Sequence, residues 1–262
     1  MFIQFEFKLS TSVSQFVGVP LILGFQLTIA RRPIWQLWAF DASRFHLRKP
    51  YVILAAVLLT LSGVLVAFVS NRVLPGTAPR LEVFALVALG VWPAAYALQE
   101  QDRAQLRRAL PWVIAVLSFW VIWRASWTVA SVLKPPHFTW SRLEDMLAMW
   151  LCEFIGCFIV DEVAFRGALD PYLRGSEAGR VHPWLSALFI AIFWALWHLP
   201  SYNWGGSATT FLGLFATALR PFYFGTTIVG FLLAFTARRS RTLVLSAALH
   251  ALGNAYFLST QT

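Results

Sequence analysis

Apolar side chains fall into eight long runs, at about 13–30, 50–70, 83–98, 110–130, 146–173, 184–200, 209–236 and 242–259, separated by short polar stretches. A helix rises 1.5 Å per residue, so about 20 apolar residues span a hydrocarbon core roughly 30 Å thick. The pattern predicts an all-α fold, a polytopic transmembrane helical bundle of about eight spans. Gln15, Pro20 and Gln26 interrupt the first run. The fifth and seventh are longer than a bilayer needs, which predicts tilt or a break. Arg220 followed by Pro221 marks such a break in the seventh. No internal repeat, low-complexity tract or long polar linker divides the chain, which reads as one helical membrane domain.

Composition agrees: 58% of the 262 residues are hydrophobic and 13% charged, against roughly 45–50% and 25% in soluble domains. A soluble enzyme, a nucleic-acid binder and a disordered chain are all disfavoured. The net charge of +9 would raise the question of nucleic acid in a soluble protein, but here the cations lie in loops. Alternate loops carry thirteen (Arg31, Arg32, Arg44, Arg48, Lys49, Arg103, Arg107, Arg108, Arg174, Arg180, Arg238, Arg239, Arg241) and five (Lys8, Arg72, Arg80, Lys134, Arg142). The positive-inside rule then places both termini outside the cytoplasm, in a multi-pass protein of a bacterial inner (plasma) membrane. Tryptophans near the run ends (Trp35, Trp38, Trp112, Trp140, Trp184, Trp204) fit an interfacial belt. Cys152 and Cys157 lie five apart in one run, where a helix points them to different faces, so neither a disulfide framework nor a cysteine zinc site is expected. Met1 to Ser10 lack the pattern of a removable signal peptide.

Ionisable groups at bilayer depth cost about 2.5–3.5 kcal/mol each and so point to function. Those here are Arg124, Glu153, Asp161, Glu162, Arg166, His198, Arg220 and His250, with neutral Asn254 beside them, mostly in the second half. Glu162 and Arg166 are four apart and can pair along one helix face, with Asp161 about 100° away. His250 and Asn254 are likewise four apart. Glu153, nine residues before Glu162, points to roughly the opposite face, where it lines a cavity or pairs with Arg124 or Arg220.

A carboxylate with a histidine can hold a water molecule and take its proton. A second histidine with an asparagine can donate to the oxyanion of a tetrahedral intermediate. Together they describe peptide hydrolysis without a covalent intermediate and with no cofactor. Zinc is the rival, held by His198, His250 and Glu162, although no H-E-x-x-H spacing is present.

Asp161-Glu162-(x3)-Arg166, Trp194-(x3)-His198 and His250-(x3)-Asn254 resemble, in order, the E-E-x-x-x-R, F-x-x-x-H and H-x-x-x-N/D motifs of the CPBP family, the CAAX-protease and bacteriocin-processing group of intramembrane proteases. The resemblance covers roughly 146–259 and makes 141–262 the catalytic core, with 1–140 as helices of unassigned role. It implies that Asp161 is the general base acting with His198 on water, that Glu162 and Arg166 orient the site, and that His250 and Asn254 stabilise the oxyanion. It also implies metal-free chemistry on a peptide or protein substrate, a C-terminal or transmembrane segment, in contact with membrane lipid and without nucleic acid.

Two positions depart from the pattern: Asp161 stands where the family has Glu, and Trp194 where it has Phe. Losing one methylene withdraws the carboxylate by roughly 1.5 Å, and a shift of about 1 Å can cost on the order of 100-fold in rate. Three readings follow: an active aspartate variant, transfer of the role to Glu162, or a non-catalytic relative such as an immunity factor or binding scaffold. Retention of four other costly polar groups favours activity. A proton-relay transporter would want an inverted repeat or paired broken helices, which the sequence lacks. Asp161 and His198 fall near opposite ends of their spans, so they can share a site only if the fifth helix continues to about Tyr172 or the sixth stops short.

Overall fold

The computed structural model of the chain describes residues 18–68, 81–129, 140–157, 161–175, 181–197 and 221–259. Among these the chain is helical, apart from one antiparallel bridge between Ala39 and Thr242. The helices are α1 (Gly18–Ile29), α2 (Lys49–Phe68), α3 (Leu81–Gln99), α4 (Arg103–Val129), α5 (Trp140–Cys157), α6 (Asp170–Gly175), α7 (Pro183–Trp197), α8 (Pro221–Ser240) and α9 (Val244–Ser259). Each predicted run overlaps at least one of them, and residues 209–220 of the seventh lie outside the described residues. α8 is described from Pro221, and Arg220, where the sequence marks a break, lies outside the described residues. Gln26, which weakens the first run, is buried and donates from Nε2 to the Pro33 carbonyl at 3.1 Å. Its polarity is thus consumed inside the protein.

The fifth run is not one regular helix. α5 is described to Cys157, and from Asp161 the chain runs through a π-helical stretch, Val163–Leu169, into α6. Helix therefore continues past Tyr172, and the acidic pair lies more than two turns from its end.

α8 packs against α4, α7 and α9, and α9 packs against α5. Alanines dominate the largest core cluster, among them Ala55, Ala94, Ala95, Ala247 and Ala251. Small side chains let helix backbones approach closely where lipid supplies no hydrophobic drive between helices. Three glycines sharpen this. The Leu37 carbonyl lies against Gly167, Trp120 against Gly253 and Trp123 against Gly225, each where an added Cβ would collide. In all three the glycine belongs to the second half of the chain and its neighbour to the first.

Much of the outer surface is apolar. Leu185, Leu188, Phe189, Ile192, Phe193 and Leu196 of α7 are exposed, as are Leu110, Ile114, Val121 and Ile122 of α4. Soluble monomers rarely expose apolar surface on this scale. One stretch, Arg103–Trp123 of α4, is long and apolar enough to cross a membrane alone; α1, Lys49–Leu61 and α7 are shorter apolar helices.

The loops bearing the larger cation set are tied together at one end of the bundle. The Phe40 N–H donates to the Arg241 carbonyl at 3.0 Å and the Leu243 N–H to that of Trp38 at 3.1 Å. The Gln99 side chain bonds the backbone of Arg48 and His46, and Gln101 bonds Ser240 and Thr242. Arg241 pairs with Asp41 at 2.5 Å. On α6, Asp170 is held by Arg238, which also reaches Ser186 Oγ at 2.7 Å.

Candidate active site

The π-helical stretch places Glu162 and Arg166 at the centre of the molecule. Their side chains are 0% exposed, and Arg166 Nη1 lies 2.6 Å from Glu162 Oε1. An ion pair so deep is stable only when further groups satisfy its remaining atoms. Nη2 of Arg166 donates to the Gly230 carbonyl at 3.4 Å, and the guanidinium stands 4.7 Å from the Trp194 ring centroid, within cation–π range. Single π-helical turns recur at functional sites, where the widened turn redirects side chains.

His250 of α9 closes the arrangement. Its Nδ1 lies 3.1 Å from Glu162 Oε1, joining residues 88 apart in sequence. Its ring meets Trp194 edge-on, with centroids 5.0 Å apart and planes at 84°. Glu162, Arg166, Trp194 and His250 thus form a closed circuit in which each side chain touches the next. The paired carboxylate only accepts hydrogen bonds, so Nδ1 carries the proton and Nε2 is the ring atom turned the other way. Glu162 Oε2 and Arg166 Nε are buried and make no hydrogen bond to protein.

Asn254 stands one turn beyond His250 and donates from Nδ2 to Glu153 Oε2 at 3.5 Å. Glu153 therefore stands beside the candidate set, with a partner other than the two arginines suggested by the sequence. Its position relative to Glu162 depends on residues 158–160, which lie outside the described residues. Its suggested partners do not bear on this, since Arg220 and the Arg124 side chain lie outside the described residues. Asp161 is half-buried and immediately precedes the circuit. His198 lies outside the described residues, one position beyond α7.

Trp194, the departure from the family's phenylalanine, has a matching space. A Cβ on Gly230 would meet Trp194 Cε3 at 2.8 Å and Ala191 Cα at 3.2 Å. Gly230→Ala is therefore expected to cost about 1–3 kcal/mol by overpacking. The penalty should shrink when a smaller ring is supplied by Trp194→Phe. Denaturant unfolding in detergent of the two single variants and the double variant checks this; strictly additive losses would show that the ring and the glycine are uncoupled.

Among the described residues no three His, Cys, Asp or Glu side chains are grouped to hold a metal ion. The zinc set raised by the sequence needs His198, outside those residues. The Cys152 thiol is free.

Residues 143–256 match the family model for type II CAAX prenyl endopeptidase Rce1-like proteins. The matched segment contains all three motifs. No curated protein matches the chain, and no solved structure does.

Proposed function

We propose that this protein, whose residues 143–256 match the model for type II CAAX prenyl endopeptidase Rce1-like proteins, is an intramembrane endopeptidase hydrolysing a peptide bond by carboxylate- and histidine-activated water. The observation that carries the reading is the buried meeting of Glu162, Arg166 and His250 from two separate motifs. Ionisable groups this deep are costly, and a bundle needing only packing would place apolar side chains there.

In the proposed reaction, Asp161 with His198 takes a proton from water, and the hydroxide attacks the scissile carbonyl carbon. The tetrahedral oxyanion accepts hydrogen bonds from His250 and Asn254, and the proton passes to the leaving amine as the C–N bond breaks. Glu162 accepts from His250 Nδ1 and so fixes the orientation of the ring. This is the logic by which an aspartate orients the histidine of a serine protease. Glu162 Oε2, buried without a donor, is an acceptor suited to a water molecule. Glu153 accepts from the Asn254 carboxamide and so fixes its orientation.

The proposal extends to the membrane arrangement: about eight spans, the basic end in the cytoplasm, and a peptide substrate reaching the site from the bilayer. The test is cleavage in proteoliposomes, with a prenylated C-terminal CAAX peptide and a panel of membrane-anchored peptides as substrates. Wild type is expected to cleave at least one and Asp161→Ala none. Should wild type cleave nothing, or should Asp161→Ala, Glu162→Ala and His198→Ala all match it, the protein is a non-catalytic relative that keeps the polar network. Activity that survives strong chelation would speak against zinc.

A further inference from the structure

An apolar groove of about 430 Å³ runs along the outside of α7, lined by Leu173, Leu185, Ser186, Leu188, Phe189 and Ile192 among others. Leu185, Leu188, Phe189 and Ile192 recur at helical spacing on one face, and all are exposed. From Leu185 to Ile192 the groove follows seven residues of helix, about 10 Å. That is roughly two thirds of one leaflet's hydrocarbon depth.

One end of the groove opens on arginines. Leu173, in its wall, immediately precedes Arg174, whose side chain is 31% exposed. Ser186, also in the wall, accepts from Arg238. The Arg32 guanidinium lies so close to Gly175, at the end of α6, that a Cβ there would meet its Nη2 at 2.6 Å. Arg241 is near enough to act on Arg174 as well. The carboxylates facing this group are Asp170, buried and held by Arg238 and Arg174, and Asp41, held by Arg241. Four arginines thus face two acids. Burial presses the Arg174 guanidinium below its ordinary range; Arg238, Arg32 and Arg241 add to this, and Asp170 opposes it. Arg241 also sits at φ 63°, in the left-handed region that side chains other than glycine's seldom adopt, so the cationic mouth is kept in a costly conformation.

A groove that accepts one chain and ends in excess positive charge at headgroup level fits an anionic amphiphile better than a neutral one. We infer that it binds one anionic phospholipid, with the phosphate on Arg32 and Arg174 and an acyl chain along Leu185, Phe189 and Ile192. The inference rests on the membrane reading above and does not depend on catalysis.

The test is native mass spectrometry of the full chain in detergent, with phosphatidylglycerol or phosphatidylcholine added at equal mole fraction. Wild type is expected to retain one phosphatidylglycerol in preference to phosphatidylcholine. Arg32→Gln should weaken that adduct about 5-fold, as expected for one arginine near an anionic headgroup. Arg32 makes no ion pair among the described residues, so this variant leaves the Asp170 network intact. Arg174→Gln serves as the second variant. Leu185→Gln should weaken both lipid adducts alike. Equal retention of the two lipids by wild type, or an unchanged preference in both arginine variants, overturns the inference. So does displacement of phosphatidylglycerol by inorganic phosphate alone, which would mark a plain anion site. A chain that stays soluble without detergent and retains neither lipid would instead overturn the membrane reading itself.

Discussion

Arg166→Met is expected to lower stability by about 3–5 kcal/mol, the cost of leaving a buried charge without its partner. Glu162 is 0% exposed, so bulk solvent does not screen the charge left behind, although the His250 ring still contacts it. The same substitution removes the donor to the Gly230 carbonyl and the cation over Trp194. Arg166→Met combined with Glu162→Leu should recover most of the loss, because replacing both members of a buried pair by apolar groups of similar volume is often close to neutral. Denaturant unfolding in detergent separates the outcomes. A single variant costing under about 1 kcal/mol would mean that the pair behaves like a solvated surface bridge. A double variant as unstable as the single would mean that the loss comes from packing. Stability recovered without any recovery of cleavage would be the signature of a pair kept for chemistry.

The second large effect concerns Asp161. Asp161→Ala and Asp161→Asn are each expected to lower kcat/KM by about 10²–10⁴-fold, the range for losing a positioned general base. Asp161→Glu should stay within about 100-fold of wild type, since it keeps the carboxylate and displaces it by about one bond length. Asp161 is half-buried and stands beside the Glu162–Arg166 pair. Asp161→Asn should therefore unfold within about 0.5 kcal/mol of wild type, so that a loss of rate reports chemistry. If Asp161→Asn cleaves normally while Glu162→Gln does not, the base is Glu162. Both results come from one cleavage assay, with unfolding as the control.

Most of the helices could be read from the apolar runs. The run at 184–200 became α7 at Pro183–Trp197, and that at 242–259 became α9 at Val244–Ser259. The Glu162–Arg166 pair was equally legible, because two polar residues four apart in an apolar helix have few other partners. What could not be read depends on departures from regular geometry or on distant chain segments. A π-helical turn has no fixed composition, so Val163–Leu169 reads as ordinary helix. The contacts of Glu162 with His250 and of Glu153 with Asn254 join residues 88 and 101 apart; one sequence carries no periodic trace of such pairings. The Leu37 carbonyl against Gly167 is hidden for the same reason, since a backbone contact leaves no mark on side-chain pattern.

That contact and its two counterparts bear on how the protein is made. A chain is synthesised from its N-terminus, so Leu37, Trp120 and Trp123 emerge before the glycines they cover at 167, 253 and 225. The order of synthesis thus makes the covering residues available before the glycine faces that pack on them. A gene fragment beginning near residue 143 would encode the three motifs yet leave these three glycine faces uncovered. The unassigned first half is in this sense the protein's own assembly template, and it would have to travel with the second half in any transplant of the site to another scaffold.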